Sequence, residues 1–207
     1  IRDSRVNSTS LLSEAIAKME KKPEVFIVAS AIGWYGDRGD EELTEDSAVG
    51  EGFLPEVCSD WEGASADLPD EVRHVYLRSG IVLSGTGGAL GKMLMPFKMG
   101  AGGPMGNGKQ WMSWISLDDE IYAIHHLLME TGSKGVYNLT APNPVRQKGF
   151  AKALGRVLRR PAFAPLPGFV IKILFGEMGV KLTLESQKVL PNRLLDCLLY
   201  TSPSPRD

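Results

Sequence analysis

Two short runs in this sequence bring together hydroxyls, small residues and a phenol in the pattern that meets oxygen atoms of a bound molecule. Ser30-Ala31-Ile32-Gly33-Trp34-Tyr35-Gly36 follows the β-prone run Val25 to Ala29, and Arg78-Ser79-Gly80-Ile81-Val82-Leu83 completes a second such run that starts at Val75. In a parallel α/β sheet, ligands sit in the crevice at the carboxyl ends of the strands. Ser30 is thereby placed to donate to a substrate oxygen, and Tyr35 to donate or shuttle a proton. Other arrangements promise less. Gly103-Pro-Met-Gly-Asn-Gly108-Lys109 fits G-x-x-x-x-G-K, but Gln110 stands where a hydroxyl must hold Mg²⁺, and Trp111 to Ile115 reads as a strand rather than a helix. It reads as a shaped loop whose glycines let the backbone approach something closely. Gly85, Gly87 and Gly88 lack the third glycine of a dinucleotide fingerprint. His74, His125 and His126 read as surface or core histidines, and Glu62 is open between a surface carboxylate and a site residue. Cys58 and Cys197 make neither a disulfide framework nor a zinc site, and no metal is expected.

The elements that must position these groups follow from periodicity. Asn7 or Ser8 is expected to cap a helix with Leu11, Leu12, Ala15, Ile16 and Met19 on its apolar face. Val25 to Ala29 and Val75 to Leu83 read as strands buried on both faces, with a helix over Phe53 to Ala66 between them. A helix around Ala89 to Lys98, a strand over Trp111 to Ser116 and a helix opened by Asp118 and Asp119 come next. The Asp pair suits an N-cap and a first-turn carboxylate facing the helix dipole. A strand at Val136 to Leu139 and a helix over Gln147 to Leu158 follow, then helical stretches near Phe169 to Phe175 and Thr183 to Val189. Alternating strands and helices mean α/β with a mostly parallel sheet, and the helix-rich last third reads as a smaller cap.

Composition narrows the function. The 207 residues carry 23 Lys+Arg against 25 Asp+Glu, a formal net charge of −2 that argues against a nucleic-acid partner. No apolar run is long enough to span a bilayer, and no signal peptide opens the chain, so a cytoplasmic protein without a membrane partner is expected. The chain starts at Ile1 on a helical pattern, which reads as a start inside a longer protein. Residues 197–207 lack periodicity, carry two Ser-Pro steps and read as a non-native tail.

Taken in order, the motifs resemble a known family. They are Ser4-Arg5-Val6 with Thr9; Ser30-Ala31-x-Gly33-x-Tyr35-Gly36; Leu43-Thr44-Glu45; Trp61-Glu62; Leu77-Arg78-x-Gly80-Ile81-Val82-Leu83; and Gly87-Gly88-Ala89-Leu90. Gly102-Gly103-Pro-x-Gly106-x-Gly108-x-Gln110, Trp114-Ile115-x-x-Asp118-Asp119, Tyr137-Asn138-x-x-Ala141-Pro142 and Gln187-Lys-Val-x-Pro191 continue the series. The whole is similar to the atypical extended short-chain dehydrogenase/reductases, and within them to the YfcH-like "epimerase family" proteins with a C-terminal domain of unknown function. The resemblance covers Ile1 to about Asp196. It implies a Rossmann-type, mostly parallel sheet lacking its first strands, with a small helix-rich C-terminal substrate domain. Residues 1–145 would be the remainder of the NAD(P)-binding domain with interleaved substrate-domain segments, and 146–196 the helical substrate domain. The cofactor it implies is NADP or NAD, with the main phosphate-binding loop missing from this chain. Ser30, Ala31, Arg78, Gly80, Ile81, Val82 and Leu83 would meet the cofactor. Ser30 and Tyr35 would be catalytic, and Gly33, Trp34, Gln110, Trp111 and Trp114 would shape the pocket for a small carbonyl or nucleotide-sugar-like molecule. The usual Tyr-x-x-x-Lys pair, whose Lys lowers the Tyr pKa, falls on Leu54 and Cys58. That leaves two readings open, an oxidoreductase or epimerase and a non-catalytic dinucleotide binder.

Overall fold

The structure is a computed structural model that describes residues 1–163, 165, 166, 171, 173, 176 and 183–197. The expected helix near Phe169 to Phe175 falls largely outside the described residues, as does nearly all of the expected tail. The first helix, α1 (Arg2–Ala17), leads to β1 (Val25–Ala31) and a 3-10 turn over Ile32–Tyr35. Next come β2 (Glu42–Leu43), α2 (Phe53–Gly63), β3 (Arg73–Ser79) and β4 (Ile81–Leu83), then α3 (Gly88–Lys98), β5 (Trp111–Met112) and β6 (Trp114–Ser116). The remainder is α4 (Leu117–Met129), β7 (Gly135–Leu139), β8 (Val145–Arg146), α5 (Gln147–Leu158), β9 (Lys188–Val189) and α6 (Asn192–Asp196).

The central sheet runs β1-β3-β7, all parallel. Its register sets Ser30 beside Arg78 and Arg78 beside Asn138, with Ala31, Ser79 and Leu139 in the next row. Successive residues of a strand point to opposite faces, so these two rows serve opposite sides of the sheet. On the side of Val75, Leu77, Tyr137 and Leu139, the strands pack against Ala123 and Leu127 of α4, with Ile115 and Leu194 completing the core. The other side carries α1 and α2: Tyr76 receives a hydrogen bond from Ser65, and Phe26 packs with Ile16, Leu68 and Val72. Helices on both faces of a parallel sheet make the expected α/β architecture. Among the described residues no helix is long and apolar enough to cross a membrane.

Four local expectations change. α1 begins at Arg2, not after Asn7, and buries Thr9, Ser13 and Ile16 while Leu11, Leu12 and Met19 stay exposed. Polar pairing selects that face: Trp61 Nε1 donates to Thr9 Oγ1 at 3.0 Å, and Ser13 Oγ donates to Thr9 O at 2.8 Å. The run Val75 to Leu83 is two strands. At Gly80 the chain leaves the central sheet, and β4 pairs instead with β6. The run Trp111 to Ser116 likewise divides, because β5 pairs antiparallel with β8. Thr183 to Val189 ends in a strand rather than a helix: Lys188 and Val189 pair with Glu42 and Leu43, and Ser113 Oγ donates to Gln187 O at 2.8 Å while accepting from Val189 N at 2.9 Å.

The cap of α4 also differs. Ser116 is the N-cap, accepting from Asp119 N at 3.0 Å, which leaves both Asp118 and Asp119 in the first turn. At the opposite end, the Arg73 guanidinium donates to the carbonyls of Leu127 and Leu128 at 2.7 and 2.8 Å, a cation where the helix dipole favours one.

Candidate active site

A cavity of about 380 Å³ opens where β1 and β3 end, walled by Ser30 to Gly33 on one side and Ser79 to Val82 on the other. Ala89 and Met93 of α3, Met105, Met112 and Trp111 close it with mostly apolar surface. Small residues hold the strand ends, and at Gly80 this is required by packing: a Cβ there would lie 2.8 Å from Ser113 O and 2.9 Å from Thr140 Cγ2. Of the residues expected to line a site, Ser30, Ala31, Gly33, Gly80, Ile81, Val82, Gln110 and Trp111 meet in this cavity.

Arg78 and Tyr35 do not join them, because both are used beneath the strand ends. Arg78 is 3% exposed and donates from Nε to Glu62 Oε1 at 3.0 Å and from Nη2 to Glu62 Oε2 at 2.9 Å. Its Nη1 donates to Tyr35 Oη at 3.2 Å, and Tyr35 Oη donates to Asn138 Oδ1 at 2.7 Å. Ser30 Oγ joins the same network, donating to Glu62 Oε1 at 2.7 Å. Tyr35 is fully buried, and burial pushes its phenol above the ordinary range despite the opposing Arg78 charge. A phenol so placed orients its neighbours and is far from ready to act as a base. Trp34 lies under the Arg78 guanidinium, 3.7 Å from ring centroid to Cζ, and also stays out of the cavity. Leu83 and Trp114 are likewise absent from its walls.

Glu62, open in the sequence, is thus the central anion of a buried network. It accepts the Arg78 fork and the Ser30 hydroxyl together, and so decides where Ser30 points. A buried ion pair of this kind persists because hydrogen bonds satisfy both partners. Gln110 and Trp111 shape the opposite wall. Gln110 Nε2 donates to Met105 O at 3.0 Å and Thr183 O at 2.8 Å, tying two loops together. Trp111 Nε1 donates to Asp40 Oδ1 at 3.0 Å, and the Arg146 guanidinium lies 4.1 Å over the indole. Arg146 and then Trp111, as hydrogen-bond donors, hold the Asp40 carboxyl below its usual range. Leu54 and Cys58 face the turn after β1: a Cβ at Gly33 would meet Leu54 Cβ at 3.4 Å and Cys58 Sγ at 3.6 Å. Burial, with the Glu62 charge adding to it, pushes the Cys58 thiol up to about 11. Neither residue supplies an acid or base at neutral pH.

Sequence reasoning passed over Glu120. It opens the buried stripe Glu120, Ala123, Leu127 of α4 and accepts from Ser79 Oγ at 2.6 Å. The spacing of those residues is the available signal; the neighbouring Asp118 and Asp119, which suit an N-cap and a first-turn carboxylate, mask it.

Comparison with known proteins places this geometry. Residues 166–197 match a domain of unknown function, DUF1731. The chain is 44% identical over 195 residues to the epimerase family protein SDR39U1 homolog, chloroplastic, of Arabidopsis thaliana, covering 93% of this chain and 56% of that protein. Against the human epimerase family protein SDR39U1 the identity is 38% over 193 residues, covering 93% of this chain and 66% of the relative. The crystal structure of human SDR39U1 (isoform 2) with NADPH superposes with a TM-score of 0.89 at 38% identity, over 95% of this chain and 67% of that one. The chain belongs to the SDR39U1 epimerase family. It spans between 56% and 66% of the length of these two curated relatives. The Rossmann-type parallel sheet of SDR39U1-like proteins is present, and a more distant likeness in fold alone reaches the dTDP-glucose 4,6-dehydratase DesIV of Streptomyces venezuelae, with a TM-score of 0.74 at 12% identity.

Proposed function

We propose that this chain carries the substrate-facing part of an NAD(P)-dependent oxidoreductase or epimerase acting on a small carbonyl compound with an apolar body. The observation that carries the reading is the apolar cavity at the carboxyl ends of two adjacent parallel strands, walled by Ala31, Gly33 and Gly80. That is where a parallel α/β sheet receives its ligand, and the small side chains leave room for a flat ring against the backbone. The NADPH complex of human SDR39U1 supports the choice of cofactor. When bound, a nicotinamide supplies or accepts the hydride. Ala31, Gly80, Ile81 and Val82 would hold its ring end, and Ser30, fixed by Glu62, would orient a substrate oxygen. Tyr35 and Arg78 would act from below by holding the strand ends in place.

Leu54 and Cys58 favour a second reading, a dinucleotide-binding protein without turnover, since neither residue moves a proton at neutral pH. Titration of reduced nicotinamide mononucleotide into the chain, followed by nicotinamide fluorescence, tests what both readings share. Saturable enhancement is expected, and an unchanged spectrum would remove the nicotinamide from this cavity. Consumption of the reduced nucleotide with a panel of apolar ketones and aldehydes then separates enzyme from binder.

A further inference from the structure

Among the described residues three carboxyls near the strand ends are buried, and Glu120 alone of them accepts from no N–H group; Glu45 Oε2 and Glu120 Oε2 both lack a hydrogen-bond partner. Glu62 holds the Arg78 fork, and Glu45 accepts the backbone N–H groups of Asn138 and Arg193 at 3.1 and 3.3 Å. Glu120 is 8% exposed, its Oε1 accepts from Ser79 Oγ at 2.6 Å, and its Oε2 is buried with no hydrogen-bond partner. Among the described residues no cation forms an ion pair with it; its own burial and the Ser79 bond are what act on its proton, and burial prevails, raising its pKa. Burial of a carboxyl without a counter-charge favours its protonated form over the ionised one. Ser79 ends β3, stands in the cavity wall, and lies in register with Ala31. Ser79, a residue of the cavity wall, is therefore hydrogen-bonded to a buried acid whose pKa burial raises, beside a site in which Leu54 and Cys58 offer no acid or base at neutral pH.

We propose that Ser79 is the group that protonates a carbonyl oxygen in the cavity and that Glu120 is the protonated acid that resupplies it. The step rests on the hydride reading above. A reduced nicotinamide dinucleotide delivers a hydride, and with it two electrons, to the carbonyl carbon. For the transfer the Ser79 hydroxyl turns from Glu120 Oε1, to which it donates at 2.6 Å, towards the carbonyl; the π pair of the C=O bond moves to oxygen and takes the Ser79 proton, while Ser79 Oγ takes the proton of the Glu120 carboxyl across the reversed contact. The products are an alcohol, an oxidised dinucleotide and a Glu120 carboxylate, which solvent reprotonates. Oxidation of an alcohol runs the same transfers backwards. Ser79 is catalytic in this scheme. Glu120 acts through it and is a positioning residue.

Infrared difference spectroscopy tests the pair without any dinucleotide. A protonated-carboxyl band is expected for the chain at neutral pH and should vanish in Glu120→Gln. With 9-fluorenone as the bound probe, the carbonyl stretch should be red-shifted by the Ser79 hydroxyl, lose that shift in Ser79→Ala, and regain it in Ser79→Thr; a thermal melt of each variant confirms that it folds. With NADPH present, fluorenone reduction should fall about 100-fold or more in Glu120→Gln while the carbonyl shift persists. The proposal is overturned if no acid band is assignable to Glu120, if the carbonyl stretch is the same in Ser79→Ala, or if no bound fluorenone appears at all. Failure of the nicotinamide titration with the acid band and the carbonyl shift intact would sink the hydride reading and leave the Ser79–Glu120 donor standing.

Discussion

At the scale of single residues, the site is governed by which charges are answered. Arg78 and Glu62 are both nearly fully buried and fork onto each other at 2.9 and 3.0 Å. Removing one charge leaves the other stranded in low dielectric, whereas removing both leaves only a packing problem. Glu62→Gln is therefore expected to cost about 3–5 kcal/mol, and the double variant Glu62→Gln/Arg78→Met much less, as read by urea denaturation. Equal losses in the single and double variants would mean that the pair is not coupled. The sequence made Ser30 legible as a site residue because it follows a strand. It did not reveal that Arg78 turns inward, since the partner that captures it, Glu62, lies 16 positions away on another element. Tyr35 was legible as a special residue for the same reason as Ser30, and only the distance to Asn138 shows that its hydroxyl is already engaged.

At the scale of elements, the decisive place is the joint between β3 and β4. Continuous β-propensity from Val75 to Leu83 disguises the break, because propensity is blind to which neighbour a strand pairs with. Gly80 is the visible mark: the backbone passes so close to Ser113 that no side chain fits. Gly80→Ala is expected to destabilise by about 1–3 kcal/mol, since the nearest atom is a backbone carbonyl that cannot swing aside. Chemical denaturation measures the loss. A neutral result would show that β4 and β6 shift easily, and with them the cavity wall. Most helices were legible to within a turn, and α5 matches its expected limits of Gln147 and Leu158. α1 was not read correctly, because its buried face is set by the Trp61 to Thr9 hydrogen bond rather than by its leucines.

Across the whole molecule, burial raises the pKa of both Glu45 and Glu120. A carboxyl whose folded pKa lies above its unfolded value adds stability that is fully present below the unfolded pKa and is lost as pH rises through the folded one. Asp40 works the other way, contributing above its unfolded value and losing that contribution as pH falls through its depressed folded pKa. Stability is thus expected to rise as pH falls from the raised folded pKa of these two groups to the ordinary glutamate range, and to fall again only in stronger acid. Urea midpoints across a pH series check the curve. Glu120→Gln should flatten its acid-side gain, and an unchanged curve in that variant would show that Glu120 already titrates normally.

The pairing of Glu42 and Leu43 with Lys188 and Val189 carries a consequence for synthesis. The Lys188 ammonium reaches Glu42 at 2.7 Å across a sequence separation of 146 residues, and the neighbouring Gln187 stands in the cavity wall. Contacts this remote in sequence form late, after the entropy of closing the intervening loop has been met. On the ribosome, the strand ends that bear Ser30 and Ser79 emerge long before the segment that walls them in. A nascent chain therefore displays an open apolar trough while the residues between Ser79 and Gln187 are being made, and a chaperone that shields such surfaces would act in that interval.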